Sequence, residues 1–126
     1  MAIEDNLPER FKRIAYHPST FIYAWKKKDM EKLFDELMQS NIAIRSVEAW
    51  RVEEDEQVFH LIPLRSGDIK EFSAENTQEK DEEWFNFVER SCKETMEVIN
   101  SWNLEKRIRN DLTQTLWYHF KFEEEK

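Results

Sequence analysis

The chain is 126 residues long, 40% hydrophobic, 13% aromatic and 37% charged, with a formal net charge of −8. One cysteine rules out an internal disulfide, and one glycine rules out a Gly-rich phosphate loop. The longest unbroken apolar stretch, Phe21 to Trp25, is far too short to cross a bilayer.

The start, MAIEDNLPER, is acidic and polar rather than basic and apolar, so a cytoplasmic location is expected over a secretory one. The length predicts one domain over residues 1–126, burying roughly two-thirds of the surface its unfolded chain exposes. Five Trp, nine Phe and three Tyr give it an aromatic core. Between Glu53 and Glu83 lie eleven acids against three bases, so the whole charge imbalance sits in one quarter of the chain. Such a band disfavours nucleic acid, whose phosphates need Lys and Arg, and favours a basic protein partner.

In chain order, Leu7, Phe11, Ile14 and Ala15 have helical spacing and predict a short leading helix over Leu7–Tyr16, ended by His17-Pro18. The stretch FIYAW, within Ser19–Lys26, suggests a strand, with helix as the rival. Met30, Leu33, Phe34, Leu37 and Met38 predict a helix over Asp29–Ser40. From Ile42 to Pro63 the period becomes two, with Ile44, Glu48, Trp50 and Val52 opposed to Arg45, Val47, Ala49 and Arg51. A hairpin closed over Glu53-Glu54-Asp55-Glu56 would set Trp50 opposite Phe59 and Ala49 opposite His60. Arg65–Glu75 is expected as a connection.

The longest periodic run is Asn76 to Trp102. Asn76 with Glu79 resembles a capping box, and the acids to Glu83 suit a helix's first turns. Phe85, Val88, Cys92, Thr95, Met96, Ile99 and Trp102 make the expected buried stripe, flanked by Trp84 and Phe87. After a turn, Leu112–Glu123 alternates again, with Leu116, Tyr118, Phe120 and Phe122 on one side and Trp117, His119 and Lys121 on the other.

These elements predict an α+β two-layer sandwich, an antiparallel sheet of three to four strands with two helices packed on one face. They follow the β-α-β-β-α-β order of ferredoxin-like folds.

No His-x-x-x-His or Cys-x-x-Cys spacing occurs, so neither a metal nor another cofactor is expected. An enzyme built on His60 or His119 with Glu48 or Asp68 lacks a nominee for nucleophile and oxyanion pocket, and Cys92 lies on a stripe. The acidic tetrad Glu53, Glu54, Asp55 and Glu56 with Asp68 is the candidate partner surface, and Trp50 or Trp117 the aromatic anchor. Solvation of a hairpin tip explains the tetrad equally well. A sheet face without a helix, carrying Val47, Val58, Ile62 and Trp117 among Arg45, Arg51, His60 and His119, is the second candidate surface, unless the leading helix covers it.

Two stretches, LMQSNIAIRSVEAW (Leu37–Trp50) and EEWFNFVERSCKETMEVINSW (Glu82–Trp102), cover about 35 of the 126 residues and resemble bacterial immunity proteins of the Immunity protein 40 kind. Such proteins usually carry Gly-Gly before the acidic strand residue, where this chain has Arg45-Ser46 or Ser46-Val47. The resemblance implies a non-enzymatic cytosolic antidote, part of a polymorphic toxin system, that binds and occludes a toxin domain. The charge and the short apolar runs leave no expected role for nucleic acid or membrane, and the chain is expected as a monomer or homodimer. The rivals are a small hydrolase-like enzyme with a His-containing pocket and a dimeric adaptor or chaperone.

Overall fold

The structure is a computed structural model that describes residues 3–19, 22–53, 58–59, 61–63, 69–104 and 114–125. After a 3₁₀ turn at Ile3–Asn6 come α1 (Glu9–Ile14), β1 (Tyr16–Ser19) and β2 (Ile22–Trp25). A second 3₁₀ turn, Lys27–Asp29, leads into α2 (Met30–Gln39) and then β3 (Ile42–Glu53). Four short strands follow: β4 (Val58–Phe59), β5 (Leu61–Pro63), β6 (Ile69–Glu71) and β7 (Ser73–Glu75). The chain closes with α3 (Trp84–Trp102) and β8 (Gln114–Glu124).

The architecture is α+β, an antiparallel sheet carrying helices, as the periodicities predict. Its path is β1-β2-β8-β3-β4, with β7 also paired to β3, and β5 and β6 form a separate ribbon. The described part of that stretch, Ile22–Trp25, is a strand, paired with β8 so that Ala24 faces His119 and Trp25 faces Tyr118. From β2 to β8 the chain runs strand, helix, strands, helix, strand as expected, with β1 and β5–β7 added, and every pairing is antiparallel, with β8 lying between β2 and β3 in the sheet. Residues 65–75, expected as a connection, contain β6 and β7. The leading helix ends earlier than expected, since Tyr16–Ser19 turns back as a strand against β2.

The pair β3–β8 is the spine, running from Ile42 opposite Glu124 to Glu53 opposite Gln114. It is interrupted by a bulge between Ile44 and Ser46. An extra residue at a bulge reverses the alternation beyond it. Ile44 and Val47, three apart, therefore both face the core, and Val47 and Ala49 are buried rather than displayed on the second face as the simple alternation implied. Tyr118, Phe120 and Phe122 of β8 are buried on that same side, as expected. The hairpin register also differs by one residue from the expected one, with Arg51 opposite Phe59 and Val52 opposite Val58.

Over this face lies the larger of two core clusters, to which all three helices contribute: Leu7 and Phe11 with α1, Met30, Leu33, Phe34 and Leu37 from α2, and Cys92 and Ile99 from α3; Ala43, Trp84, Phe87 and Val88 form the smaller. The leading helix thus covers the core side, not the opposite face. Trp25 is fully buried, set against Phe120 and Phe122 with ring centroids 6.2 and 6.1 Å away. Its Nε1–H donates to the Phe11 carbonyl at 2.8 Å, so the indole enters the core without leaving a polar atom unsatisfied. Phe34 of α2 meets Phe120 edge-on at 5.5 Å. No helix among the described residues is long and apolar enough to cross a membrane.

Helix α3 does more than cover the sheet. At the bulge, the carbonyls of Ile44 and Arg45 both accept hydrogen bonds from Asn76, the first from Nδ2–H at 2.9 Å and the second from the backbone N–H at 2.8 Å. The same Nδ2 donates to Thr95 Oγ1 at 2.9 Å, and the Ile44 N–H donates to Ser91 Oγ at 3.0 Å. Side chains of a helix and a loop therefore do here what a neighbouring strand would do, covering an edge that would otherwise offer itself for pairing.

Asn76 is consequently not the start of the helix. It is committed to β3, and α3 begins at Trp84 after the extended Glu83. With that start, Trp84, Phe87, Val88, Ser91, Cys92, Thr95 and Ile99 are buried, while Phe85, expected on the stripe, is 50% exposed. Trp84 takes the inner position because its indole N–H reaches the Asn41 carbonyl at 2.8 Å. Asn41 and Asn103, after α2 and α3, hold left-handed φ values of 61° and 50°, which Asn tolerates better than most residues.

Candidate protein-docking surface

Of the residues expected to meet a partner, Glu54, Asp55, Glu56 and Asp68 lie outside the described residues. Glu53 ends β3, placed by its backbone opposite Gln114. Trp50 stands opposite Trp117 on the second face of the sheet, but it is only 4% exposed, stacked on the His119 ring at 4.6 Å and 15°. A tryptophan so enclosed offers a partner little surface. Trp117 is half-buried, with Lys26 Nζ 5.1 Å from its ring centroid, a cation–π contact. His119 Nδ1–H donates to the Tyr23 carbonyl at 3.0 Å, which orients the imidazole, and Glu48 is its cross-strand neighbour. His60 lies outside the described residues. Among the described residues no group of three or more His, Cys, Asp or Glu could hold a metal ion.

The second acidic cluster, Glu79 to Glu83, is fully described and has a different structure from the first helical turns it was expected to form. It is a strap, residues 77–83, laid against the first turns of α3. Arg90 fastens it. Its Nε–H and an Nη2–H donate to the two oxygens of Glu82 at 2.8 and 2.7 Å, the bidentate geometry that suits a planar guanidinium. Nη2 also donates to the Thr77 carbonyl at 2.7 Å, and Nη1 to Glu94 at 2.9 Å. The guanidinium rests over the ring of buried Phe87, 5.3 Å from its centroid.

Within the strap, the other Glu82 contacts close a turn: the Glu79 N–H donates to Glu82 Oε1 at 3.0 Å, the Glu82 N–H to the Glu79 carbonyl at 3.2 Å, and the Gln78 Nε2–H to the Glu82 carbonyl at 2.8 Å. Hydrogen bonds from Arg90 and then from the Glu79 amide hold the Glu82 carboxyl down at about 2, and the same carboxylate raises the guanidinium of Arg90 above its ordinary value.

With Glu82 turned inward, Glu79, Asp81 and Glu83 are left exposed, and Glu89, Glu94 and Glu97 continue the negative surface along α3. Phe85 emerges among them, one turn before Glu89 on the helix surface. An open groove of about 580 Å³ runs beside it, lined by Asn86, Glu89, Arg90, Lys93, Glu94 and Glu97. Sequence periodicity missed Phe85 because positions 84 and 85 continue the stripe of Val88, Cys92, Thr95 and Ile99 equally well. The discriminating signal, an acceptor for the indole N–H, lies on the distant Asn41. Cys92, the one cysteine, is buried and takes no part in this surface.

Compared with known protein families, with curated proteins and with solved structures, the chain matches none.

Proposed function

We propose that the chain is a non-enzymatic protein-binding protein of the immunity type, which neutralises a basic toxin domain by occluding it. The observation that carries this reading is Phe85, a half-exposed aromatic among outward-facing Asp81, Glu83 and Glu89 on a strap and helix that are themselves well fixed. Carboxylates arranged in this way accelerate encounter with a basic surface and penalise acidic partners. An aromatic ring at the centre of a contact supplies the desolvated anchor that dominates many interfaces. Pre-organisation reduces the ordering cost of binding. The resemblance of Leu37–Trp50 and Glu82–Trp102 to immunity proteins of the Immunity protein 40 kind supports the same reading, since the second stretch contains both Phe85 and Arg90. Glu53, Glu54, Asp55, Glu56 and Asp68 carry the same sign of charge and belong to the proposal through the sequence alone.

The direct test is co-expression with a toxic domain encoded beside this chain. Growth should be restored by the native protein and lost with Phe85→Ser combined with Glu83→Lys, while circular dichroism stays unchanged. Rescue undiminished by those substitutions would move the contact away from α3, and no rescue by the native protein would remove the immunity reading.

A further inference from the structure

Arg90 is the one side chain that joins both ends of the acidic strap to the helix: it holds Thr77 by the carbonyl near one end and Glu82 by the carboxylate near the other. Among the described residues, Glu79, Asp81 and Glu83 meet the helix through one hydrogen bond, from the Phe87 N–H to the Glu83 carbonyl at 3.0 Å. We propose that Arg90 is the positioning residue of the docking surface, clasping Thr77–Glu83 in the conformation that turns Glu82 inward and leaves Glu79, Asp81 and Glu83 facing outward. The proposal rests on the binding reading for its functional consequence, but the clasp itself is a statement about the free protein.

The geometry explains why an arginine is used. Three directions must be served at once, towards Glu82, Thr77 and Glu94, and a planar guanidinium with five N–H groups serves them from one position. A lysine at this position reaches fewer of these acceptors and cannot form the paired contact with Glu82. Buried Phe87 beneath the guanidinium limits its movement, so the clasp is referred to the core rather than to solvent. Among the described residues, no other side chain ties Thr77–Glu82 to α3 in this way. Just before the strap, Asn76 is fixed independently, by β3 and Thr95. Release of Arg90 should therefore free residues 77–82 while leaving Asn76 and the Glu83 carbonyl in place.

Two backbone amides report these two anchorages separately. The Glu79 N–H is bonded to Glu82 Oε1, which Arg90 holds, whereas the Asn76 N–H is bonded to the Arg45 carbonyl, which it does not. Amide exchange measured by NMR on Arg90→Met, which keeps an apolar stem over Phe87, should show the Glu79 amide exchanging on the order of ten- to a hundredfold faster, with Asn76 unchanged. Arg90→Lys should fall between. Equal acceleration of both amides would mean that Arg90 merely supports global stability, and no acceleration of Glu79 would mean that the strap holds itself; either result overturns the proposal. Should Arg90→Met fail to fold, Arg90→Lys, which keeps the charge but not the paired contact with Glu82, is read by the same two amides.

No partner is needed for this measurement. Reversing Glu79 and Glu83 to Lys leaves every Arg90 bond in place and tests the binding reading alone, so a failed clasp and a failed docking surface give different results.

Discussion

A thiol at a stripe position of a long helix is removed from the chemistry thiols usually perform. Cys92 is buried, and burial pushes its ionisation up to about 12, despite a favourable hydrogen bond involving Ser91. The native protein should therefore react with a thiol reagent at least on the order of a hundredfold more slowly than a free cysteine, and denaturant should restore the ordinary rate. Fast labelling of the native state would place the thiol at the surface. Glu82 illustrates the opposite shift. Its carboxyl is lowered from 4.5 to about 2 by Arg90 and by the Glu79 amide, so it contributes stability that is present above 4.5 and drains away as pH falls through about 2. An acid titration followed at the Glu79 amide should show protection retained at neutral pH and lost over that interval. Glu82→Gln should abolish this pH dependence, and protection lost already near neutrality would contradict the assignment.

Among the elements, α3 and the bulge in β3 explain one another. The bulge turns two successive carbonyls to one edge, and Asn76 is the single residue able to satisfy both with a side-chain and a backbone donor. Ser91 accepts from Ile44 in the same region and donates onward to the Val88 carbonyl at 2.9 Å. Replacing Ser91 with Ala leaves the buried Ile44 N–H without its acceptor, which costs about 1–3 kcal/mol, measurable as a lower denaturation midpoint at constant slope. A change within about 0.5 kcal/mol, the usual range for a surface substitution, would mean that water replaces the hydroxyl there. The expected capping box failed at this element for a related reason. Asn and Glu three apart before an apolar run suit a helix start, but the two unsatisfied carbonyls of β3 recruit Asn76, and Glu79 closes a turn with Glu82 instead. Three-residue strands such as β6 and β7 are too short to show a period, so nothing in the sequence announced them.

For the molecule as a whole, charge and aromatic surface are distributed unevenly. The described core side carries Trp25, Tyr118, Phe120 and Phe34, whereas Phe85 and Ile14 are the large hydrophobics left exposed among the described residues. The negative band follows the strap and α3. If that band steers a basic partner, reversing Glu79 and Glu83 should slow association by on the order of tenfold and flatten its dependence on salt, with little change in dissociation. Stopped-flow association at two ionic strengths decides it, and an unaltered rate would remove the band from recognition. The sheet's edges fit a chain that does not pair indiscriminately: β1 is short and contains Pro18, and β3 is shielded by β4, β7 and the side chains of α3 and Asn76.

The sequence by itself determined the local periods. Met30 to Met38 repeats as an amphipathic helix, Ile42 to Pro63 and Leu112 to Glu123 alternate as strands, and the acidic excess between Glu53 and Glu83 is a matter of composition. Those properties follow from covalent geometry, which repeats every 3.6 or 2 residues whatever the chain packs against. Tertiary structure alone decided the phase: which face of β3 lies inward beyond the bulge, whether Trp84 or Phe85 turns to solvent, and which of five neighbouring polar residues is drawn inward to Arg90. Each of those choices is a rotation or a one-residue slip that costs little locally. The acceptor or donor that settles it comes from residues remote in the chain or from another element, Asn41 for Trp84, Arg90 for Glu82 and the β3 carbonyls for Asn76.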